Sequence, residues 1–304
     1  MTAEEQQKAR QGVLLALGAY TMWGIAPIYF KSLAAVSPLE ILSHRVMWSF
    51  FLLAALLHFG RHWRTVRDVL TSKSKMLYLV TTAILVGANW LIFIWAVNAN
   101  HMLDASLGYY INPLINVLLG MLFLGERLRK LQWFAVTLAT SGVLVQLVVF
   151  GSVPIVAIAL AFSFGFYGLL RKKVSVDAQT GLFIETLVML PAAAIYLLFI
   201  ASTPTSNMLA NPAHLNALLV AAGVVTTLPL LCFTGAATRL KLSTLGFFQY
   251  IGPSLMFLLA VLIYGEAFTS DKAITFAFIW GALVLFSFDG LRYSRKHRRT
   301  RQTN

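Results

Sequence analysis

The stretches YYINPLINVLLGMLFLGE, residues 109–126, and YIGPSLMFLLAVLIYGE, residues 250–266, decide how this chain is read. Each is apolar enough for lipid, yet each holds a proline near its start and ends in Gly-Glu. Aligned without a gap at an offset of 140, residues 110–126 and 250–266 agree at eight of 17 positions. The matches are Tyr110/Tyr250, Ile111/Ile251, Pro113/Pro253, Leu118/Leu258, Leu119/Leu259, Leu122/Leu262, Gly125/Gly265 and Glu126/Glu266. Leucines recur in any membrane span, but proline, glycine and glutamate at one fixed spacing point to an internal repeat. Weaker echoes lie at nearly the same offset: LALGAYTMWG (15–24) resembles VAIALAFSFG (156–165), with Gly24 over Gly165 at a shift of 141, and Ala96 falls over Ala236 at 140.

The solvent of this repeat is lipid. Of the 304 residues 59% are hydrophobic and 12% charged, against about 45–50% and about 25% in soluble domains. Apolar stretches of roughly 20 residues lie at 11–31, 37–59, 74–98, 102–124, 130–150, 152–170, 179–200, 213–237, 242–264 and 272–290. The first is longer than a signal-peptide core and contains Pro27, so it is read as a retained helix. Twenty-one of the 24 Lys and Arg fall on one side of these spans, Lys31 and Lys272 on the other, and Arg45 inside one. The positive-inside rule then places both termini in the cytoplasm. It also accounts for the net charge of +13, and the tail RYSRKHRRTRQ reads as an anchor on anionic lipid, not a nucleic-acid arm.

Ten spans in two copies give five per copy. An odd number forces the second copy to enter from the opposite face, the inverted repeat of secondary transporters, whose substrate sites form near the midplane between halves. The expected fold is an all-α polytopic membrane protein of ten transmembrane helices in two inverted five-helix repeats. Residues 1–10 form a cytoplasmic N-terminus, 11–150 and 151–290 the repeats, and 291–304 a basic tail.

Two five-span halves, each with a proline-broken fourth span ending in Gly-Glu, resemble the EamA-type repeats of the drug/metabolite transporter superfamily. More narrowly, SHRVMWS (43–49), NWLIFIWAVN (89–98) and SLGYYINPL (106–114) resemble its RarD branch. The resemblance spans roughly 11–290 and implies a bacterial inner-membrane permease, generally an exporter of small metabolites or drugs. The branch takes its name from a chloramphenicol-related phenotype and the resemblance supplies no settled physiological substrate; amino-acid-like, aromatic and amphenicol-like molecules are the candidates. Gly252 and Met256 stand where the first half has Asn112 and Asn116, so the expected site is asymmetric.

Ionisable groups at bilayer depth suggest function, with a structural partner as the rival reading. Arg45 lies about eight residues into the second span, and the repeat offset carries it onto Glu185 in the seventh. Inversion brings the two within ~6 Å in height in a ~30 Å core. They read either as a buried ion pair or as a substrate-binding cation and a proton-carrying carboxylate. His44 is a candidate proton relay. Trp90, Asn89, Tyr109, Tyr110, Asn112, Asn116 and Tyr250 are candidate pathway residues, and Trp23, Trp48 and Trp95 weaker ones. Pro113, Pro253, Gly125, Glu126, Gly265 and Glu266 are candidate helix-break or gating residues, with Arg127 and Arg129 as possible partners of Glu126. Asp104 reads as a helix cap.

Other classes lack their residues. Cys232 stands alone, and His58 and His62 have no carboxylate in register, so neither a disulfide nor a metal site is expected. No GxxxxGK[ST], GxSxG or HExxH motif occurs, so no cofactor, ATPase or enzyme activity is expected. The sequence reading is a secondary transporter working by alternating access through a central cavity, with proton coupling as an option. A lipid-type flippase and a non-transport receptor are the alternatives.

Overall fold

The computed structural model describes residues 3–98, 102–151, 155–263 and 270–302. Among these residues the chain is helical, without strands: α1 (Ala3–Lys31), α2 (Pro38–Phe59), α3 (Trp63–Leu70), α4 (Lys73–Asn98), α5 (Met102–Leu124), α6 (Lys130–Phe150), α7 (Ile155–Lys173), α8 (Ala178–Ile195), α9 (Ala213–Arg239), α10 (Leu242–Gln249), α11 (Ile251–Leu262) and α12 (Ser270–Gln302). Nine segments among the described residues are long and apolar enough to cross a membrane, and Gly108–Leu124 adds a shorter apolar helix. The protein is therefore an all-α polytopic membrane protein, with five helical crossings in each half.

Local chemistry sets the helix ends. Pro38 opens α2, where its missing N–H costs nothing. The Asp177 side chain accepts the Thr180 N–H at 2.9 Å and starts α8. Gly125 (φ +62°) and Gly151 (φ +73°) terminate α5 and α6 in the left-handed conformation that a side chain would disfavour.

Four boundaries differ from the sequence reading. The expected loop 60–75 contains α3, whose Val66 and Val69 are buried. The helix of the seventh span ends in a π-helical turn, Tyr196–Ile200. The tail continues α12 as helix through Gln302. The ninth span is two helices, α10 and α11, separated at Tyr250. Pro253 has no N–H for the carbonyl four residues before it, that of Gln249, and the break falls there. Pro113, its counterpart, sits inside α5 without an assigned break.

The halves interlock. α1 packs on α9 and α11, α2 on α8 and α9, α4 on α7 and α8, α5 on α7 and α10, and α6 pairs with α12. Close approach at small residues drives such packing in lipid. A Cβ on Gly24 would sit 2.7 Å from Leu255, and one on Gly165 would sit 2.8 Å from Ile115. Gly24/Gly165 and Ile115/Leu255 are repeat-related pairs, so this is one contact made twice, α1 on α11 and α7 on α5. The main core lies between the halves and includes Tyr20, Leu53, Leu79, Ile115, Tyr167, Phe233 and Leu245. Leu77, Ile84, Leu122, Val148 and Phe199 point outward, as lipid-facing side chains do.

Candidate functional site

α2 carries Arg45 one helical step past His44 and turns it toward the second half. Its Nε donates to the Thr226 hydroxyl of α9 at 2.8 Å. The guanidinium lies 4.6 Å from the Trp90 ring centroid and 5.5 Å from that of Phe30, within reach of a cation–π attraction. The Tyr29 and Tyr109 hydroxyls are near enough to interact with it electrostatically. Arg45 has no carboxylate partner among the described residues.

Glu185 is not that partner. Its Oε1 lies 3.6 Å from Arg171 Nε and accepts the Thr82 hydroxyl at 2.6 Å, while Oε2 accepts the Tyr167 hydroxyl at 3.3 Å. Arg171 and Glu185 are 0% and 1% exposed, so this is a wholly buried ion pair. The correction has a geometric cause. Arg45 and Glu185 occupy repeat-equivalent places, and each reaches a threonine on the third crossing of the other half: Thr226 on α9 for one, Thr82 on α4 for the other. Each therefore has its own partners, and Arg171 supplies the charge that Glu185 needs. A Cβ on Gly181 would lie 1.8 Å from Arg171 Nη1, so α8 makes room for the guanidinium with a glycine.

The two amides of α5 are buried, Asn112 at 5% and Asn116 at 0% exposure. Asn116 Nδ2 donates to Gln249 Oε1 at 2.7 Å across the halves, while Oδ1 of both asparagines has no hydrogen-bond partner. Next to them, the Tyr250 hydroxyl donates to the Tyr110 carbonyl at 3.2 Å, joining two repeat-equivalent tyrosines. Asn89 donates to the Leu160 carbonyl at 2.9 Å and the Ser163 hydroxyl at 2.8 Å on α7. His44 is 2% exposed; its Nδ1 accepts the Trp48 indole N–H at 3.3 Å and its Nε2 is unpartnered. Trp23 belongs to an aromatic cluster with Phe164 and Phe233. Gly265 and Glu266 lie outside the described residues, as do the side chains of Trp95 and Asp104.

Glu126 pairs with neither Arg127 nor Arg129. Its carboxylate accepts the backbone N–H of Leu242 at 2.6 Å and of Ser243 at 3.0 Å, and the Ser243 hydroxyl at 2.6 Å. It caps α10 from the other half, where the helix dipole favours a negative charge. Lys172 Nζ donates to the Ala237 carbonyl at 3.1 Å and to that of Leu240, gripping the end of α9 just before. Arg129 pairs with Asp289 of α12.

Sequence reasoning missed four of these residues. Arg171 and Lys172 were counted with the charges of a helix end; the four-residue spacing from Tyr167 to Arg171, which puts both on one helix face, was the available signal for the first. Gln249, beside Tyr250, was another. Glu40, 0% exposed, accepts the Thr203 and Thr205 hydroxyls and ties the 201–212 connection to α2.

Comparison with known proteins agrees on one family. The profile described as "EamA-like transporter family" matches residues 10–148 and again 152–288. A protein of Vibrio cholerae named "uncharacterized transporter" is 77% identical over 297 residues, covering 98% of each chain. "Protein RarD" of Salmonella typhimurium is 64% identical over 292 residues, covering 96% of this chain and 99% of that one. A solved structure superposes with a TM-score of 0.70 at 20% identity, covering 90% of this chain and 96% of the other. At that identity the likeness concerns the fold.

Proposed function

The chain belongs to the EamA-like transporter family, in its RarD branch, and from that premise we propose that it exports a small anionic metabolite or drug across the bacterial inner membrane by alternating access. The carrying observation is Arg45: a cation inside a span, tied to the other half through Thr226, flanked by Trp90 and Phe30, with no carboxylate partner among the described residues. A guanidinium offers a fixed fork to a carboxylate or similar planar anion, and the flanking rings suit an apolar body beside it. The orphaned Oδ1 atoms of Asn112 and Asn116 offer acceptors to a substrate donor or to water. Both lie where the halves meet, which is where alternating access opens and closes a site. The Lys and Arg asymmetry supports cytoplasmic termini.

Glu185 and His44 are the groups to which this reading assigns proton coupling. Glu185 reaches Thr82 in the other half, so a change in its charge would be felt at the interface. The test is efflux of amino acids, amphenicols and related metabolites from proteoliposomes, with and without a pH gradient. Arg45→Gln abolishes efflux of the active compound, Arg45→Lys retains part of it, and Glu185→Gln flattens its pH dependence. Wild-type rates and pH profile in correctly inserted Arg45→Gln and Glu185→Gln protein would overturn the reading.

A further inference from the structure

Away from this site, where α6 begins and α12 emerges, an open surface depression of about 570 Å³ is lined by Arg129, Lys130, Leu131, Phe134, Asp289 and Arg292. It opens on the face that carries most of the Lys and Arg. Arg129 Nε donates to Asp289 Oδ2 at 2.6 Å, so the one carboxylate offsets one cation. Lys130 and Arg292 are exposed and make no ion pair among the described residues. Two positive charges therefore remain in the recess.

The rest of its wall is apolar. Phe134 is 59% exposed, and its neighbour Trp133 is 48% exposed. Further along the same two helices Leu144, Val148, Val284 and Phe288 also face outward, so the depression sits at the head of a lipid-facing strip. Cations beside the apolar Leu131 and Phe134 match an amphiphile with a phosphate at one end and a hydrocarbon chain at the other. A free phosphate shares the charge but leaves the Phe134 wall unused.

We propose that this recess is a discrete binding site for the phosphate headgroup of an anionic phospholipid. Lys130 and Arg292 contact the phosphate oxygens, and the acyl chain lies along Phe134. Basic pockets between transmembrane helices bind such headgroups by the same combination of charge and apolar wall. Arg292 is the first cation of the tail, but it is set beside the start of α6 where α6 and α12 pack, which separates this site from the diffuse attraction of the residues after it.

The experiment uses the full chain in detergent micelles, with native mass spectrometry against phosphatidylglycerol, cardiolipin and phosphatidylcholine, and inorganic phosphate as a competitor. The wild type retains the anionic lipids over phosphatidylcholine, and millimolar phosphate does not displace them. K130Q/R292Q weakens retention about thirtyfold, the equivalent of about 2 kcal/mol for two cations near the surface. K130R/R292K restores it, and neutralising Arg298, Arg299 and Arg301 leaves it in place. An unchanged affinity in K130Q/R292Q protein with a wild-type melting temperature overturns the proposal. So does equal retention of phosphatidylcholine, or displacement by inorganic phosphate, which would mark a soluble phosphate as the ligand.

Discussion

Glu126, at the end of the first half's fourth crossing, holds the first backbone N–H groups of the second half's fourth crossing, at Leu242 and Ser243. The bond joins residues 116 positions apart in the chain. A carboxylate on an exposed helix end would add little, but here it satisfies two backbone donors and a hydroxyl between packed helices. Glu126→Ala should destabilise the protein by about 1–3 kcal/mol, the range for removing a hydrogen-bonded charged group. Glu126→Gln keeps an acceptor and should lose about half as much. Thermal unfolding in detergent reads both.

Arg171 and Glu185 form a buried pair, and breaking such a pair costs more than removing it. Arg171→Met strands a carboxylate and should cost about 3–5 kcal/mol. The double variant Arg171→Met/Glu185→Met should recover most of that loss. The comparison of yield and melting temperature across the cycle is decisive: additive losses would refute a paired burial.

Gly181→Ala should act on the same pair. The added methyl group meets the Arg171 guanidinium, which must leave its place beside Glu185. A loss of about 1–3 kcal/mol is expected from overpacking, and it should vanish in the Arg171→Met background, where the clash is gone.

Gly246→Ala tests the seam between α5 and α10. A Cβ there would lie 2.7 Å from the Pro113 carbonyl oxygen and 3.0 Å from Asn116 Cβ. Backbone cannot yield as a side chain does, so α10 must move away, and the Asn116–Gln249 bond with it. About 1–3 kcal/mol of destabilisation is expected, with loss of transport in whatever protein inserts.

Thr226→Val removes the hydroxyl that orients Arg45 without touching its charge. The apparent KM for the transported compound should rise about two- to tenfold, the equivalent of one modest hydrogen bond of 0.5–1.5 kcal/mol. An unchanged KM would show that Arg45 needs no positioning from α9.

The large features of this molecule were written in periodicity and spacing. Span length and composition sufficed for the all-helical membrane architecture, because hydrocarbon thickness fixes both. The offset linking Pro113 to Pro253 exposed the duplication, since a proline, a glycine and a glutamate recur together at that one spacing. What stayed hidden was partner choice. Glu185 was expected near Arg45 because depth along the membrane was the only coordinate available, and depth says nothing of which helix face is turned inward. Arg171 was hidden by its neighbours Lys172 and Lys173, which made a buried side chain look like part of a surface cluster. Glu126 was recognised as a helix-end residue, but its ligands are backbone groups in the other half, which carry no sequence signature. The break at Tyr250 illustrates the same limit: both halves have the proline, and only the packing around it decides whether the helix parts.

The bonds from Asn89, Asn116 and Glu126 to the second half have a consequence in time. A ribosome adding roughly 5–20 residues per second reaches Leu242 about 6–23 s after Glu126, a delay that follows from their separation of 116 residues. Through that interval the first five helices stand in the membrane with the Asn116 amide and the Glu126 carboxylate still without their final partners, while Asn89 waits only for Leu160 and Ser163. The nascent first half must be held by water, lipid headgroups or an insertion factor until its other half arrives.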